Sequence, residues 1–327
     1  MIDLSTKYMG LDLKNPIIAG SSGLTKSVEN IIELEKNGAA AVVLKSLFEE
    51  QIKYEINKTF IQSNTYSYPE AEDLISNYSK EHNIDEYLTL IKDSKKAVSI
   101  PIIASINCIS SDEWTLFAKK MEDAGADALE LNIFIIPSDP YHDSEQNEKV
   151  YFDIIHEVSK HISIPLSIKI SYYFSGLAKM ALKLSWTKIS GLVLFNRFFS
   201  PDIDIEKFTI TSTNVFSSPN ELATSLRWVA MLSDRVHCDI AASTGIHDGK
   251  AVIKQLLAGA KATQVCSALY KHGFSAIGNM LKELESWMKQ KGFDKTSDFI
   301  GKMSYKKADN PAAYQRVQFM KHFAEIE

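Results

Sequence analysis

Residues 237–273 read HCDIAASTGIHDGKAVIKQLLAGAKATQVCSALYKHG. Two apolar runs, 237-HCDIAAS-243 and 262-ATQVCSA-268, flank an amphipathic stretch, Gly249–Leu257, that closes on Gly259-Ala260. Runs that are apolar on both faces and joined by a helical segment indicate buried parallel strands in a βαβ unit. The glycine can take the left-handed conformation that stops a helix and drops the chain into the next strand. The same phrase recurs at Gly38-Ala39 and Gly125-Ala126, and Ser-Ile-Pro precedes a run at Ser99–Pro101 and Ser163–Pro165. Proline at a strand's first residue sacrifices no ladder hydrogen bond. Outward from this unit, the runs 16-PIIAG-20, 40-AAVVLKS-46, 101-PIIASIN-107, 127-DALELNI-133, 165-PLSIKIS-171 and 190-SGLVLFN-196 bring the total to eight. Amphipathic stretches such as Val28–Lys36, Ser111–Asp123, Tyr151–Lys160 and Glu221–Leu232 fill the intervals. Eight units predict an α/β fold of the (β/α)8 barrel type, whereas a doubly wound sheet usually stops at five or six strands.

Two stretches break the rhythm and read as insertions after strands 2 and 6. Glu49–Asp85 is polar and aromatic, and Arg197–Asn220 carries Phe198, Phe199, Pro201, Phe208 and Phe216. Each is either a loop packed on itself or a lid over a site, because both follow a strand's C-terminal end. No linker divides the 327 residues, so one barrel domain over 1–327 is expected, with a final helix and a partly ordered tail after Gly292. Hydrophobic residues make up 45% and charged residues 24%, an ordinary globular composition. The net charge of −5 comes without any Lys/Arg-rich run, which argues against nucleic acid. Cys108, Cys238 and Cys266 stand far apart. That spacing excludes a disulfide framework and an all-protein iron–sulfur cluster, gives no metal site, and points to a reducing compartment. With no apolar leader and no 18-residue apolar run, a cytoplasmic protein without a membrane segment is expected.

In such a barrel the polar residues at strand C-termini face the active site. Here these are Ser21, Ser22 and Gly23 after the first strand, Lys45 and Ser46 after the second, and Asn107 after the third. Glu130 and Asn132 close the fourth, Lys169 the fifth and Asn196 the sixth. Lysine in an apolar strand is costly to bury without an anionic or hydrogen-bonding partner. Lys45 and Lys169 hold equivalent strand ends, either as site residues or as lysines snorkelling past the rim. Thr244-Gly245 after the seventh strand and Cys266-Ser267 after the eighth each lead into a helix, the usual barrel phosphate site; the bland alternative makes the Ser/Thr residues plain N-caps. Phosphate cradle, lysines and amides together describe a flavin mononucleotide (FMN) site.

The chain resembles the dihydroorotate dehydrogenases and, more loosely, the pyrimidine-reducing domain of dihydropyrimidine dehydrogenase. The resemblance rests on 14-KNPIIAGSSG-23, 38-GAAAVVLKS-46, 124-AGADALELN-132, 164-IPLSIKI-170 and the segment from Ser243 to Gly273. It implies FMN bound by Ser21, Ser22, Gly23, Lys45, Ser46, Asn107, Asn132, Lys169, Asn196, Thr244, Gly245, Cys266 and Ser267. It also implies a dihydropyrimidine substrate, dihydroorotate oxidised to orotate in pyrimidine biosynthesis, with Lys45 and Asn132 in the catalytic set. The implied electron acceptor is soluble, such as fumarate, and family members are commonly homodimers. Electron transfer to NAD through a separate iron–sulfur partner chain stays open.

The chain departs from the family pattern at the base. Where the family carries Leu-Ser-Cys-Pro-Asn after Glu-Leu-Asn, this chain reads Ile133-Phe-Ile135-Ile136-Pro137, and isoleucine accepts no proton. Loss of a general base costs about 10²–10⁴-fold. Ser138, Tyr141 and His142 follow in the same loop, and His142 is the candidate replacement. Of the family's substrate loop, only Asn64 remains as a counterpart, and paired glycines of the phosphate loop become Thr244-Gly245. Four readings stay open: a dihydroorotate dehydrogenase, the same flavin barrel on another cyclic imide or enone, a flavin-binding protein without turnover, and a flavin-free aldolase with a Schiff-base lysine.

Overall fold

A computed structural model describes residues 2–48, 84–107, 111–198 and 200–315. Most of the stretch 49–85, together with Asn64, Cys108, Phe199 and the tail beyond residue 315, lies outside them. Each of the eight apolar runs is a strand: β1 Ile17–Ala19, β2 Ala41–Val43, β3 Ile102–Asn107, β4 Ala128–Asn132, β5 Leu166–Ile170, β6 Gly191–Leu194, β7 Asp239–Ser243 and β8 Ala262–Val265. Every strand pairs in parallel with the next, and Thr263 opposite Ile17 joins β8 back to β1, closing the barrel. Gly38, Gly125 and Gly259 take φ of 104°, 99° and 118°, ending their helices as their position before a strand demands. The carbonyls of Pro16, Pro101 and Pro165 accept from the neighbouring strand, so these prolines supply an acceptor where they lack a donor.

Strand period decides what is packed where. Ile102, Ala104 and Ile106 of β3, Leu129 and Leu131 of β4, and Leu166, Ile168 and Ile170 of β5 point outward into one large cluster with the helices. The alternate residues Ile18, Ala41, Val43, Ile103, Ala128, Val193, Ala241 and Ala262 form a separate cluster inside the barrel. Their small volumes leave room for a plug. An antiparallel hairpin, Thr6–Tyr8 with Leu11–Leu13, inserts Tyr8, Met9 and Leu13 into this inner cluster from the N-terminal end. Its two turn residues, Met9 and Gly10, both have positive φ, as a two-residue hairpin turn with the twist of its strands requires. The Met9 N–H donates to Asp239 Oδ2 at 2.9 Å, fixing the plug to β7.

With its lower end filled, the lumen is polar only from its middle upward. Ser105, Glu130, Ser167, Lys169 and Gln264, all buried, come from inward positions of β3, β4, β5 and β8. At the C-terminal end, β6 runs into an antiparallel hairpin, Pro201–Asp204 with Thr209–Ser212, before the helix Leu222–Leu232. That hairpin holds Ile203, Ile205, Phe208 and Ile210 exposed. Helix Gly249–Ala258 after β7 starts where the amphipathic stretch begins. Its N-cap is Asp248, whose carboxylate accepts from Ala251 N at 2.7 Å, so Ser243 and Thr244 are free of that duty. Among the described residues no helix is long and apolar enough to cross a membrane.

The plug generates a prediction. Tyr8→Ala empties the largest side chain from the barrel's lower end and should destabilise the protein by ~3–5 kcal/mol, as aromatic-to-alanine changes in cores do. Urea unfolding followed by circular dichroism checks it; a change under ~1 kcal/mol would mean the hairpin is not part of the core.

Candidate functional site

A cavity of about 490 Å³ opens at the C-terminal end of the barrel. Its wall combines Ser21, Ser22 and Gly23 from the turn after β1, Asn196 and Arg197 after β6, Thr244, Gly245 and Ile246 after β7, and Cys266 and Ser267 after β8. Lys169 and Gln264 form its deeper part. The volume lies in the range of sites that enclose a cofactor or drug-sized molecule.

The two glycine-bearing turns are shaped by close approach. Gly245 has φ of 77°, and a Cβ there would lie 2.3 Å from Leu222 N, so no other residue fits. Thr244 beside it has φ of 75°, a left-handed conformation that costs a non-glycine residue ~1–2 kcal/mol. Its Oγ1 donates to Phe195 O at 3.3 Å, which helps to hold it there. A Cβ on Gly23 would come 2.8 Å from the Tyr270 hydroxyl. Ser217, arriving from the segment after β6, ties these turns together. Its N–H donates to Ser267 Oγ at 3.0 Å, its Oγ accepts from Gly245 N at 3.4 Å, and its carbonyl accepts from Lys271 Nζ at 2.9 Å. Its Oγ also lies 3.1 Å from His247 Nε2; burial, and Lys271 after it, hold that imidazole below its ordinary pKa. Cys266 Sγ donates to Ser21 O at 3.4 Å, and burial pushes the thiol up.

Deeper in the lumen, Lys169 Nζ donates to Gln264 Oε1 at 2.9 Å and lies 3.9 Å from Glu130 Oε1. The Gln264 amide donates to Glu130 Oε2. Burial raises the Glu130 pKa, opposed by the Lys169 charge and the Gln264 hydrogen bond.

A second polar group adjoins the cavity through Ser21. Ser21 Oγ lies 3.1 Å from Ser46 Oγ and accepts from Ser46 N at 3.0 Å. Ser46 Oγ lies 2.8 Å from Ser105 Oγ, and Asn132 Nδ2 donates to both hydroxyls at 2.8 Å. Asn132 Oδ1 is buried and among the described residues has no hydrogen-bond partner, an acceptor left over for a ligand's N–H or O–H. This group exists because β2 leaves the sheet after Val43 and rejoins β3 only at Leu47. Between them the Tyr87 hydroxyl accepts from Ser105 N at 2.9 Å and donates to Ser105 O at 3.1 Å, taking the place of a strand.

Nine of the residues singled out in sequence thus line one cavity: Ser21, Ser22, Gly23, Lys169, Asn196, Thr244, Gly245, Cys266 and Ser267. Ser46 and Asn132 join through Ser21. Lys45 and Asn107 occupy the ends of β2 and β3, half-buried and outside that wall. His142 lies on the exposed segment after β4, its Nδ1 3.4 Å from Asp139 Oδ2. Gln264, Ser105 and Ser217 were not singled out. Gln264 and Ser105 sit two residues before Cys266 and Asn107, so strand period alone puts them on the same inward side; Ser217 gives no such signal.

A further aromatic wall closes the side where the segment after β4 departs. Phe134 and Phe198 stack with centroids 3.8 Å apart, Tyr173 meets Phe198 edge-on at 4.8 Å, and Tyr172 lies 4.8 Å from Tyr173. These tyrosines and Phe198 line a second cavity of about 280 Å³ that shares Asn196, Arg197, Ser243 and Thr244 with the first. Arg197 is committed there, its Nε donating to Glu221 Oε2 at 2.8 Å and Nη1 to Val215 O at 3.0 Å.

A barrel with this closed polar lumen and double turn matches known proteins along most of its length. The chain is 28% identical over 320 residues to the catalytic subunit of dihydroorotate dehydrogenase B (NAD(+)) of Thermoplasma volcanium, covering 92% of this chain and 98% of that protein. It is 26% identical over 299 residues to the corresponding subunit of Methanocaldococcus jannaschii, covering 88% and 94%. To dihydroorotate dehydrogenase A (fumarate) of Lactococcus lactis subsp. cremoris it is 26% identical over 319 residues, covering 92% and 99%. The model of the dihydroorotate dehydrogenase family matches residues 3–288, and the chain belongs to that family.

Proposed function

We propose that this chain is an FMN-dependent oxidoreductase that converts a dihydropyrimidine, dihydroorotate, to its unsaturated product orotate. The observation that carries the reading is the buried Lys169 at the deep end of a cavity whose mouth is two turns after β7 and β8. A phosphate needs N–H donors and a reduced flavin ring needs a cation, and the donor set offers both. The unpartnered Asn132 Oδ1 adds an acceptor at the ring or substrate. On this reading the turns at Thr244-Gly245 and Cys266-Ser267 hold the phosphate, Ser21, Ser22 and Gly23 form a wall, and Lys169, Asn196, Asn107, Ser46 and Asn132 meet the ring and substrate. On the same reading Lys45, half-buried at the end of β2, is assigned to the substrate.

Oxidation of a C–C bond to C=C takes one hydride and one proton from the substrate. Bound FMN would supply the hydride acceptor there; the proton needs a base from the chain. Ile135 and Ile136 offer none, so the exposed segment that follows, with His142 beside Asp139, is assigned that task. The electrons then pass to a soluble acceptor such as fumarate, or to NAD through a partner chain, in a homodimeric cytoplasmic enzyme whose whole length forms one flavin-binding unit. The aromatic group Phe134, Tyr173 and Phe198 favours a second reading, the same flavin chemistry on a less polar cyclic imide or enone.

Anaerobic addition of dihydroorotate to the FMN-loaded protein should bleach the visible flavin bands. Retained yellow colour with dihydroorotate, but reoxidation of dithionite-reduced flavin by a cyclic enone, would replace the first reading by the second. Gly245→Ala should weaken FMN uptake at least tenfold in a fluorescence titration, since its Cβ displaces the turn; Thr244→Gly should bind as well as the parent, because that position contributes backbone. His142→Ala should slow bleaching by about 10²-fold at unchanged FMN affinity, the usual scale for a general base; an unchanged rate would remove His142 from the mechanism.

A further inference from the structure

Lys169 and Glu130 sit on neighbouring strands, where Asn132 faces Lys169 and Glu130 faces Ser167, so the two charged residues are diagonal neighbours inside the lumen. Their relative exposures are 8% and 1%. A lysine and a glutamate so placed and so dry would be expected to close into a direct hydrogen-bonded pair, because each charge lacks water to solvate it. They do not: the closest approach, at 3.9 Å, is beyond hydrogen-bond distance. Gln264 holds them apart. It comes from β8, which pairs with β7 and β1, so its side chain reaches across the barrel to both. Its orientation is forced: lysine can only donate, so Oε1 must face Lys169, and that leaves the amide N–H to donate to Glu130.

We propose that Gln264 is a positioning residue for the reaction, a strut that keeps the Lys169 ammonium raised into the cavity instead of collapsed onto Glu130. One Lys169 N–H is given to Gln264, and among the described residues Nζ has no second hydrogen-bond partner. Two donors therefore stay available to the cavity that Lys169 lines. Glu130 stabilises the ammonium from below at a distance that leaves those donors free. Among the described residues its Oε1 has no hydrogen-bond partner, which is the cost of holding the pair open. The inference rests on the flavin reading, since the raised cation acts on negative charge that reduction places on a ring above it.

The test compares FMN-loaded protein with the variants Gln264→Leu, Glu130→Gln and Lys169→Met by reduction potential and by FMN affinity. Removing the strut lets Lys169 pair with Glu130. Gln264→Leu should therefore weaken binding of reduced flavin about tenfold relative to oxidised flavin, which for a two-electron couple is about 30 mV more negative. Lys169→Met should move the potential in the same direction by at least as much. In the Gln264→Leu background, Glu130→Gln removes the partner onto which Lys169 would collapse and should move the potential back the other way. Opposite signs from two neighbouring buried changes are not produced by loosened packing. Should Gln264→Leu not fold, Gln264→Glu keeps an acceptor for Lys169 but adds a carboxylate, and should also lower the potential. An unchanged potential in both Gln264 variants, with Lys169→Met shifted, overturns the strut and leaves the flavin reading intact. An unchanged potential in Lys169→Met overturns the placement of Lys169 at the ring and the strut with it. A parent protein that takes up no FMN overturns the cofactor reading and the strut together.

Discussion

Everything at the upper end of this barrel depends on keeping one ammonium group charged where water is scarce. An ammonium at this depth without polar partners would be costly to bury. The cost is met inside the lumen by a carboxylate on the next strand and an amide from across the barrel. That arrangement works only because the lower lumen is apolar and sealed. Ala41, Ala128, Ala241 and Ala262 are small enough to admit Tyr8 and Met9, and this filling keeps the polar residues confined to the middle and top. Layering of the lumen is thus the physical link between an inert scaffold and a reactive mouth.

The upper rim is assembled from pieces that no single strand could supply. The departure of β2 after Val43 opens a gap in the sheet that Tyr87 bridges with its hydroxyl, and the gap is what lets Ser46 turn inward to Ser21, Ser105 and Asn132. On the other side, Ser217 takes up a donor or acceptor from both turns, after β7 and after β8. The site is held by residues whose ordinary backbone groups would otherwise lack partners, so its geometry is coupled to the barrel and not left to the loops.

Much of this was legible in the residues themselves. Eight runs apolar on both faces announced eight buried strands, and Gly38, Gly125 and Gly259 announced where helices end, because left-handed φ is a local requirement that few residues meet. Nine cavity residues were readable because strand ends in a barrel converge whatever the sequence between them. What stayed hidden depends on contacts distant in sequence. Ser217 follows a hairpin whose direction no period encodes, and Tyr87 belongs to a helix whose partner, Ser105, is fixed only when β2 leaves the sheet. Asp248 outcompeted Thr244 as N-cap because Thr244 is held in a left-handed turn, a conformation that the N-cap position does not use. Gln264 was within reach, since period two placed it beside Cys266, but an amide inside an apolar run carries no charge to draw attention.

The plug hairpin also joins the two ends of the chain. Thr6 Oγ1 donates to Lys261 O, Asp3 bridges Lys295, and the Thr296 hydroxyl donates to Ser5 O. Contacts that span some 250 residues form late, because the entropy of closing so long a loop must be met before they add stability. During synthesis residues 3–6 must therefore wait for residues 261–296. Until β8 emerges, β1 and β7 are bare edges of an open parallel sheet, the kind of surface that pairs with other chains. The short length of β1, three residues, limits how much of that edge is offered in the interval.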